Sequence, residues 1–449
     1  MLRHPLFYGF DGPVLELFGE ERPNTVSKAP YNPKPKDPIG SNATAIAPSR
    51  TEDGSTYLII NSHQPLTGPV AWYEAHLQSG EGLDVMGGLF PGAPTIGVGF
   101  TKEHGWGATV NKPDLVDIYV LEINPDDPNQ YRLDGEWQNL EVSKVKLKLK
   151  LWGFFPWSVS REVLRSVHGP ALRTDHGVYA IRYAGMDEMK QVEQWLAMNK
   201  AKNFEEWQAA IALNYIQSFN FVYANRHGDI HFIHNAQLPM RAPNWQWDQY
   251  LPGDRSDLIW DAYHPTSSLP QVTNPSSGFV HSANQTPFNI TAASDNPRQR
   301  DVPANGGWQT RMTNRATRGL ELFEDFGEIS FDEAWQLKHD NSYSINYRGI
   351  AFLQQVTSLP KTSDRIAEAI DILSNWDRAT DKDNRGAALG VCVLAAEWQA
   401  EIGGLANPDP QPILDDCIEQ TLDIGGRLDP RWGDVNRHGR DDTHWPVAG

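Results

Sequence analysis

The sequence predicts an α+β protein, and three observations support this class. Strand-like alternation of polar and apolar residues dominates the early part of the 449 residues, and helical periodicity dominates the last third. One helical insert is expected near residues 186–213. Chains with strands and helices segregated in this way fold as sheets with helices packed on their outer faces.

The chain begins with a short helical candidate at residues 14–18 and a Pro- and Lys-rich tether that ends at residue 39. Strand patterns start after it, and Asp53-Gly54 between the first two runs predicts a hairpin. The last two runs, joined by a Gly-containing turn, predict another hairpin. The strand-like runs are residues 44–47, 57–60, 95–100, 117–123, 142–151, 219–224 and 229–234.

Residues 142–151 show the most regular alternation, with lysines and aliphatic residues taking turns. Since successive side chains of a strand point to opposite faces, this pattern predicts a strand with one face in solvent and the other covered.

Helical patterns dominate from residue 330 onward. Ser330 and Glu333 have the spacing of a capping box, which predicts a helix start just before residues 335–337. The further helical segments are residues 363–376, 387–402 and 412–422.

The charge balance excludes some partners. With 39 Lys and Arg against 57 Asp and Glu, the net charge of −18 makes nucleic-acid binding unfavourable and gives no support to an anionic membrane surface as partner. No run of about 18 apolar residues is present, so no membrane-spanning helix is expected. The start of the chain lacks the apolar core of a signal peptide.

Two cysteines are present. Cys392 lies in an apolar stretch, which favours a buried structural thiol, and one disulfide with Cys417 remains open as an alternative. Three histidines, His227, His231 and His234, could suggest a metal cluster. Positions 231 and 234 would face opposite sides of a strand, so we interpret this group as the surface of a hairpin.

The Gly40-Ser41 junction, at the start of the first strand, is a candidate self-cleavage point. A serine hydroxyl is a weak nucleophile and needs a base. Cleavage before Ser41 would free an α-amino group with a pKa of about 7.7–8.0, which can act as that base at neutral pH. One residue would then supply both nucleophile and base.

Several downstream motifs accompany this junction. They are Asn61-Ser62-His63, Gly105-Trp106-Gly107-Ala108-Thr109-Val110-Asn111 and Ser282-Ala283-Asn284-Gln285-Thr286. In order and spacing they resemble the penicillin acylase family of N-terminal-nucleophile hydrolases, which includes cephalosporin and acyl-homoserine-lactone acylases. The resemblance runs from about residue 30 to the C-terminus.

The resemblance implies a four-layer αββα sandwich with helical additions. It implies that residues 1–40 are a remnant of an α-subunit and linker, removed by self-cleavage, and that residues 41–449 form a β-subunit-like nucleophile domain. Compared with the family, the chain is expected to be truncated at both ends. Family members are commonly exported to the periplasm, although nothing in this chain shows export.

The resemblance also implies roles for five residues. Ser41 is the expected nucleophile, and His63 is expected to orient or tune its amine. The Val110 backbone N–H and the Asn284 side-chain amide match the pair that stabilises the negatively charged oxygen formed during acyl transfer, for which two preorganised donors are suited. Arg315 resembles an arginine that holds this asparagine or contacts substrate.

A structural calcium ion is the only cofactor that the resemblance implies, and no organic cofactor is expected. Asp114, Asp117 and Asp295 match ligands of a calcium site in penicillin acylases, and carboxylates are suitable ligands for this hard cation. A further ligand in the family comes from the α-subunit.

The expected function is therefore an N-acyl amide hydrolase that acts on a small-molecule substrate through an acyl-enzyme, with an α-subunit fragment as a further expected partner. Two alternatives from other classes remain. The chain could be an inactive or incomplete fragment of such an acylase, or an acyl-amide binding protein that never matures. Cleavage at Gly40–Ser41 and amide hydrolysis distinguish them.

Overall fold

The computed structural model describes residues 40–448, apart from positions 66, 152, 293, 403, 404 and 441. The predicted helix at residues 14–18, the tether and nearly all of the predicted N-terminal segment 1–40 lie outside the described residues. None of the described helices is long and apolar enough to cross a membrane.

The strands described are β1 (Gly40–Ile46), β2 (Tyr57–His63), β3 (Tyr73–Gln78), β4 (Asp84–Leu89), β5 (Val98–Phe100), β6 (His104–Thr109), β7 (Val116–Leu121), β8 (Ile123–Asn124), β9 (Asp127–Leu133), β10 (Glu136–Asn139), β11 (Glu141–Leu151), β12 (Phe155–Ser166), β13 (Gly169–Thr174), β14 (Gly177–Tyr183), β15 (Ser218–Asn225), β16 (Ile230–Ala236), β17 (Leu251–Pro252), β18 (Gln271–Thr273), β19 (Phe279–Ser282), β20 (Arg437–Arg440) and β21 (Thr443–Pro446). The helices are α1 (Gln191–Lys200), α2 (Phe204–Ala212), α3 (Asn314–Asp325), α4 (Phe331–Lys338), α5 (Gly349–Thr357), α6 (Asp364–Asn375), α7 (Ala387–Ile402), α8 (Pro410–Gly425) and α9 (Trp432–Val435).

Two antiparallel sheets pack face to face around β1. The smaller has the order β19-β1-β2, and the larger has the order β18-β16-β15-β6-β5-β4-β3. Between them, Ala43 and Ala45 of β1 pack against Val222 of β15 and Phe232 of β16. A Cβ atom on Gly107 of β6 would come within 3.0 Å of the Ala43 Cβ, so glycine allows this close approach.

Helices cover the outer faces of both sheets. On the large sheet, Trp106 and Phe221 pack against Met198 of α1 and Trp207 of α2. On the small sheet, Ile46 and Phe279 pack with Leu320 and Phe323 of α3 and with Ala334 of α4. Around β1 the order is therefore helices, sheet, sheet, helices, and the α+β prediction is confirmed.

Two further units extend this arrangement. A sheet of order β11-β12-β13-β14-β7-β17 carries a long ribbon, β11–β12, at one edge. Helices α5 to α8 enclose a separate apolar core that includes Phe352, Ile370, Leu389 and Leu414. The predicted capping box at Ser330 and Glu333 is confirmed at the start of α4.

Four sequence predictions need correction. His231 and His234 are not a hairpin surface, because the sheet is covered on both faces and both side chains are buried. The helical insert is two helices, α1 and α2, separated by a break. Cys392 and Cys417 form a disulfide that joins α7 to α8, with Cα atoms 5.8 Å apart.

The fourth correction concerns the strand predicted at residues 142–151, which forms as β11. Residues 141–150 are exposed on both faces, so no part of the described chain covers the face expected to be buried there.

Candidate active site

Ser41 lies at the start of β1, between the two packed sheets. The antiparallel register pairs Ser41 with Ser62 and Gly40 with His63 of β2. The Ser41 side chain points to the same face as Ala43, which packs towards the large sheet, because alternate residues of a strand share a face. Ser41 is only 2% exposed, and its hydroxyl donates a hydrogen bond to the Gly40 carbonyl at 2.6 Å.

Asn284 connects this serine to Val110. Its Oδ1 accepts the Ser41 backbone N–H at 2.6 Å, and its Nδ2 donates to the Val110 carbonyl at 2.7 Å. Asn284 has a φ of 66°, a left-handed conformation that asparagine tolerates better than most residues. The next side chain, Gln285, holds the turn by accepting the Ala283 N–H and donating to the His281 carbonyl.

Arg315, in the first turn of α3, forms hydrogen bonds with both Asn284 and the backbone of Ser41. It donates to Asn284 Oδ1 and to the Ser41 carbonyl, each at 3.0 Å, and also to the Asn42 side chain. Burial lowers the pKa of Arg315 to about 10, so the guanidinium remains charged at neutral pH. A fixed positive charge therefore lies next to the predicted cleavage point.

His63 lies beside the Gly40–Ser41 peptide through its backbone, and its side chain faces away from the Ser41 hydroxyl. Its Nε2 is 3.3 Å from Asn61 Nδ2. Burial, and secondly the positive charge of Arg315, lower the pKa of His63 to about 4. The imidazole is therefore neutral at pH 7, and its predicted role in tuning the freed amine stays a prediction.

The site also contains polar contacts that the sequence motifs did not indicate. Thr109 and Ser282 share a 2.8 Å hydrogen bond that joins β6 to β19, and Asn220 donates to Thr109 at 3.1 Å. Thr109 precedes Val110, and Ser282 lies two residues before Asn284. These contacts fix the separation of the ends of the two strands that lead to the predicted oxyanion donors. Polar residues one and two positions before those donors were the signal that could have found these contacts.

Gly40 is required by this packing. A Cβ atom at position 40 would lie 2.4 Å from Arg315 Nη2 and 3.3 Å from Asn284 Oδ1. Such a distance to the guanidinium is shorter than real contacts, so a larger residue would displace Arg315.

The predicted calcium ligands occupy two different environments. Asp114 and Asp117 both lie next to Arg241, whose Nη2 is 3.4 Å from Asp114 Oδ2 and whose Nε donates to Asp117 Oδ2 at 3.0 Å. Trp260 Nε1 also donates to Asp117 Oδ2, at 2.7 Å. Asp295 instead accepts hydrogen bonds from the Ser276 hydroxyl and the Ser277 N–H.

These residues do not fit a calcium site well. The side chains of Asp117 and Arg241 are fully buried, and the guanidinium already compensates the carboxylate charge. In the part of the chain that the structure describes, no three His, Cys, Asp or Glu side chains are grouped to hold a metal ion. A calcium site formed by Asp114, Asp117 and Asp295 stays a prediction from the family resemblance.

Chemically, the site places a hydroxyl, a carboxamide and a guanidinium around one peptide bond. The hydroxyl can attack a carbonyl carbon, and the carboxamide and backbone N–H groups are suited to stabilise the negative oxygen that results. The buried setting strengthens such interactions because water screens them less.

The chain is similar to known proteins over most of its length. The sequence profile of the penicillin amidase family matches residues 11–445. Acyl-homoserine lactone acylase PvdQ of Pseudomonas fluorescens is 26% identical over 460 residues, which cover 91% of this chain and 59% of that protein. Penicillin G acylase of Escherichia coli is 26% identical over 381 residues, 82% of this chain and 43% of that protein.

A solved structure shows the same fold. The thermostable penicillin G acylase from Alcaligenes faecalis matches with a TM-score of 0.65 and 21% identity, over 91% of this chain and 81% of that one. This chain spans at most about three-fifths of the length of the curated relatives described above. Nearly its whole sequence nevertheless matches the family profile, and the chain belongs to the penicillin amidase family.

Proposed function

We propose that this chain is an N-acyl amide hydrolase whose nucleophile is Ser41 after cleavage of the Gly40–Ser41 bond. One observation carries the proposal: Asn284 Oδ1 is shared between the Ser41 N–H at 2.6 Å and the Arg315 guanidinium at 3.0 Å. This arrangement would hold the nitrogen that becomes the catalytic amine. Family membership supports an amide-hydrolysing acylase.

The first step is self-cleavage. The Ser41 Oγ adds to the Gly40 carbonyl carbon, the C–N bond breaks, and the hydroxyl proton passes to the nitrogen. The product is an ester of Gly40 with a free Ser41 amine, and water then hydrolyses the ester to a Gly40 carboxylate. The 2.6 Å hydrogen bond from Oγ to the Gly40 oxygen supports this step, because it keeps the hydroxyl beside the carbonyl group.

The second reaction uses the freed amine. Accepting the Oγ proton, it allows Oγ to attack the substrate carbonyl and then returns the proton to the leaving nitrogen. Water releases the acyl group from the resulting ester. The Val110 N–H and Asn284 Nδ2 are proposed to stabilise the oxyanion in both steps, where removing one donor costs about 2.7–4 kcal/mol in comparable enzymes.

Mass spectrometry of the intact protein tests self-cleavage directly. The uncut chain has a mass of 50.4 kDa. Cleavage before Ser41 gives fragments of roughly 4.5 and 46 kDa, the larger with the free N-terminal amine that the mechanism needs. We expect Ser41→Ala to abolish these fragments and Ser41→Cys to retain them in part. Ser62→Ala, which removes the paired serine of β2, is the matched control and should cleave normally.

The two alternatives give different results. A chain that stays at 50.4 kDa and does not hydrolyse amides would be an incomplete fragment. A chain that stays intact but binds N-acyl amides would be a binding protein. Cleavage with turnover on an N-acyl amide panel establishes the proposed enzyme.

The substrate class is proposed from the names of the relatives. Their names include an acyl-homoserine lactone acylase and a penicillin G acylase. We therefore propose small-molecule N-acyl amides, with turnover to be compared on aliphatic, arylacetyl and glutaryl amides. An apolar acyl pocket is the general expectation for such substrates.

The disulfide between Cys392 and Cys417 is relevant to the cellular compartment of the protein. Disulfides persist in oxidising compartments and are rare in the cytosol. The Cys392–Cys417 bond therefore supports the periplasm as the proposed location. Fractionation of expressing cells with a periplasmic marker tests this.

A further inference from the structure

The ribbon formed by residues 141–166, strands β11 and β12, has an unusual distribution of side chains. Over most of its length each strand pairs only with the other, and β12 joins the rest of its sheet only at Leu164–Ser166. Residues 141–150 and 153–158 are exposed. At about 3.3 Å per residue, the 11 residues of β11 reach about 35 Å, so the tip lies far from the body.

The two faces of the ribbon differ in chemistry. The register pairs Leu147 with Val159 and Leu149 with Trp157, which gives an apolar face. Leu149 is 46% and Trp157 is 49% exposed, and Phe154 at the tip is 77% exposed. Contiguous exposed apolar surface of this kind marks an interaction site.

The opposite face is cationic. Lys146, Lys148 and Lys150 lie across from Ser160, Ser158 and Pro156, so no acidic side chain is paired with them along the ribbon. Among the described residues, none of these three lysines forms an ion pair.

This charge is segregated from the rest of the molecule. The ribbon carries six Lys and Arg against two Glu, a net charge of +4, in a chain whose total is −18. The whole-chain value argues against an anionic surface as partner, but it does not describe the ribbon. At physiological salt the Debye length is about 8 Å, so the distal part of the ribbon is screened from the acidic body.

We propose that the β11–β12 ribbon binds the interface of a membrane that contains anionic lipid. The headgroup layer places anionic phosphates within a few ångströms of apolar acyl chains, so one surface satisfies both faces of the ribbon. The apolar face, together with Phe154 at the tip, enters the acyl boundary, where aromatic rings are favoured. The lysines extend to the phosphates, since their long stems let the charge reach a polar layer.

A second copy of this chain fits less well. The ribbon has a free edge at β11, where another β11 strand could pair. If two copies paired through β11 so that their apolar faces formed one surface, their lysine faces would form one surface as well. Lysines of the two copies would then lie opposite or diagonal to one another. Such pairs are destabilising, and edge lysines are a known guard against strand pairing.

Vesicle flotation with the full 449-residue protein tests the proposal. We expect stronger partitioning onto phosphatidylcholine vesicles containing half phosphatidylglycerol than onto pure phosphatidylcholine, with the difference reduced in 0.5 M salt. The triple variant Lys146→Gln, Lys148→Gln, Lys150→Gln should lower the partition coefficient about a hundredfold. The triple variant Lys202→Gln, Lys361→Gln, Lys382→Gln removes the same charge elsewhere and should bind nearly as the native protein does.

The apolar face is tested separately with Leu149→Gln combined with Trp157→Gln, which should also weaken binding. Since these residues are exposed, circular dichroism and Tm should remain unchanged in every variant. Equal binding to both vesicle types, or no binding to either, overturns the proposal. Native-like vesicle binding by the ribbon variants would overturn it too. If the ribbon variants changed only the oligomeric mass in solution, the ribbon would bind another protein chain, and the proposal would again be overturned.

Discussion

At the scale of single residues, the site depends on one carboxamide oxygen. Asn284 Oδ1 accepts from both the Ser41 N–H and Arg315, and these two donors use its acceptor capacity. The orientation of the amide is therefore fixed, with Nδ2 towards Val110. Because these contacts hold the nitrogen of Ser41, they would remain useful after cleavage converts that nitrogen to an amine.

Gly40→Ala should slow self-cleavage. The added Cβ would lie 2.4 Å from Arg315 Nη2 and would displace the guanidinium from its hydrogen bonds to Asn284 and the Ser41 carbonyl. Hydrogen bonds of charged groups contribute about 1.5–3 kcal/mol each, so we expect at least about a tenfold lower cleavage rate. The fraction of cut chain against time, measured by mass spectrometry, gives this rate.

Gly80→Ala is the matched control, because a Cβ atom there would meet nothing within 4 Å. It should cleave at the native rate. Native-rate cleavage of Gly40→Ala would show that the observed position of Arg315 is not needed for the reaction.

At the scale of elements, local patterns predicted seven of the 21 described strands and most of the described helices. Prediction of burial failed where the cover comes from distant parts of the chain. The hairpin of β15 and β16 was predicted, yet His231 and His234 were placed in solvent, because one sequence segment does not reveal that helices and a second sheet cover both faces. Helix α3, which carries Arg315, was not predicted from the sequence. Its residues Ala316, Leu320 and Phe323 nevertheless recur at the i, i+4, i+7 spacing of a buried helix face. This stripe is short, and the residues around it are mostly polar. The close grouping of Ser41, Asn284 and Arg315 depends on contacts over 243 and 274 residues, which only the motif resemblance could suggest.

Arg241→Met should destabilise the junction of β7 with the loop after β16. The change leaves the buried Asp117 carboxylate without its cation, and breaking a buried pair in this way costs about 3–5 kcal/mol. Arg255→Met is a matched control, since Arg255 also contacts an aspartate and a tryptophan but is 48% exposed. It should cost less than about 1 kcal/mol. Denaturant unfolding of both variants gives these free energies.

The ion pairs of Arg241 also predict how the protein responds to calcium. Since Arg241 already compensates Asp114 and Asp117, the Tm of the native protein should be the same in EDTA and in millimolar Ca²⁺. A Tm that rises with Ca²⁺ and falls with EDTA would instead support the predicted set of Asp114, Asp117 and Asp295.

At the scale of the whole molecule, the layered packing buries several histidines without a compensating charge. Burial lowers the pKa of His231 to about 4 and that of His234 to about 3. Burial, and secondly the positive charge of Arg315, lowers the pKa of His281 to about 3. Within the described residues, neither ring nitrogen of His234 has a hydrogen-bond partner. The fold therefore keeps these imidazoles neutral, whereas an unfolded chain protonates them near pH 6.5.

Stability should consequently fall as the pH drops from about 6.5 towards 4. In this window the unfolded state binds protons that the folded state does not, so the free energy of unfolding rises with pH, by as much as about 3 kcal/mol for one fully buried histidine. Carboxylates titrate mostly below about pH 5, so the histidine effect is clearest in the upper part of this window. We expect His234→Phe to flatten the dependence of Tm on pH, while His227→Gln, at a side chain 69% exposed, should leave it unchanged. Measuring both variants in the Ser41→Ala background keeps the chain uncut, and a Tm that is constant from pH 7 to 4.5 would contradict the buried neutral state of these histidines.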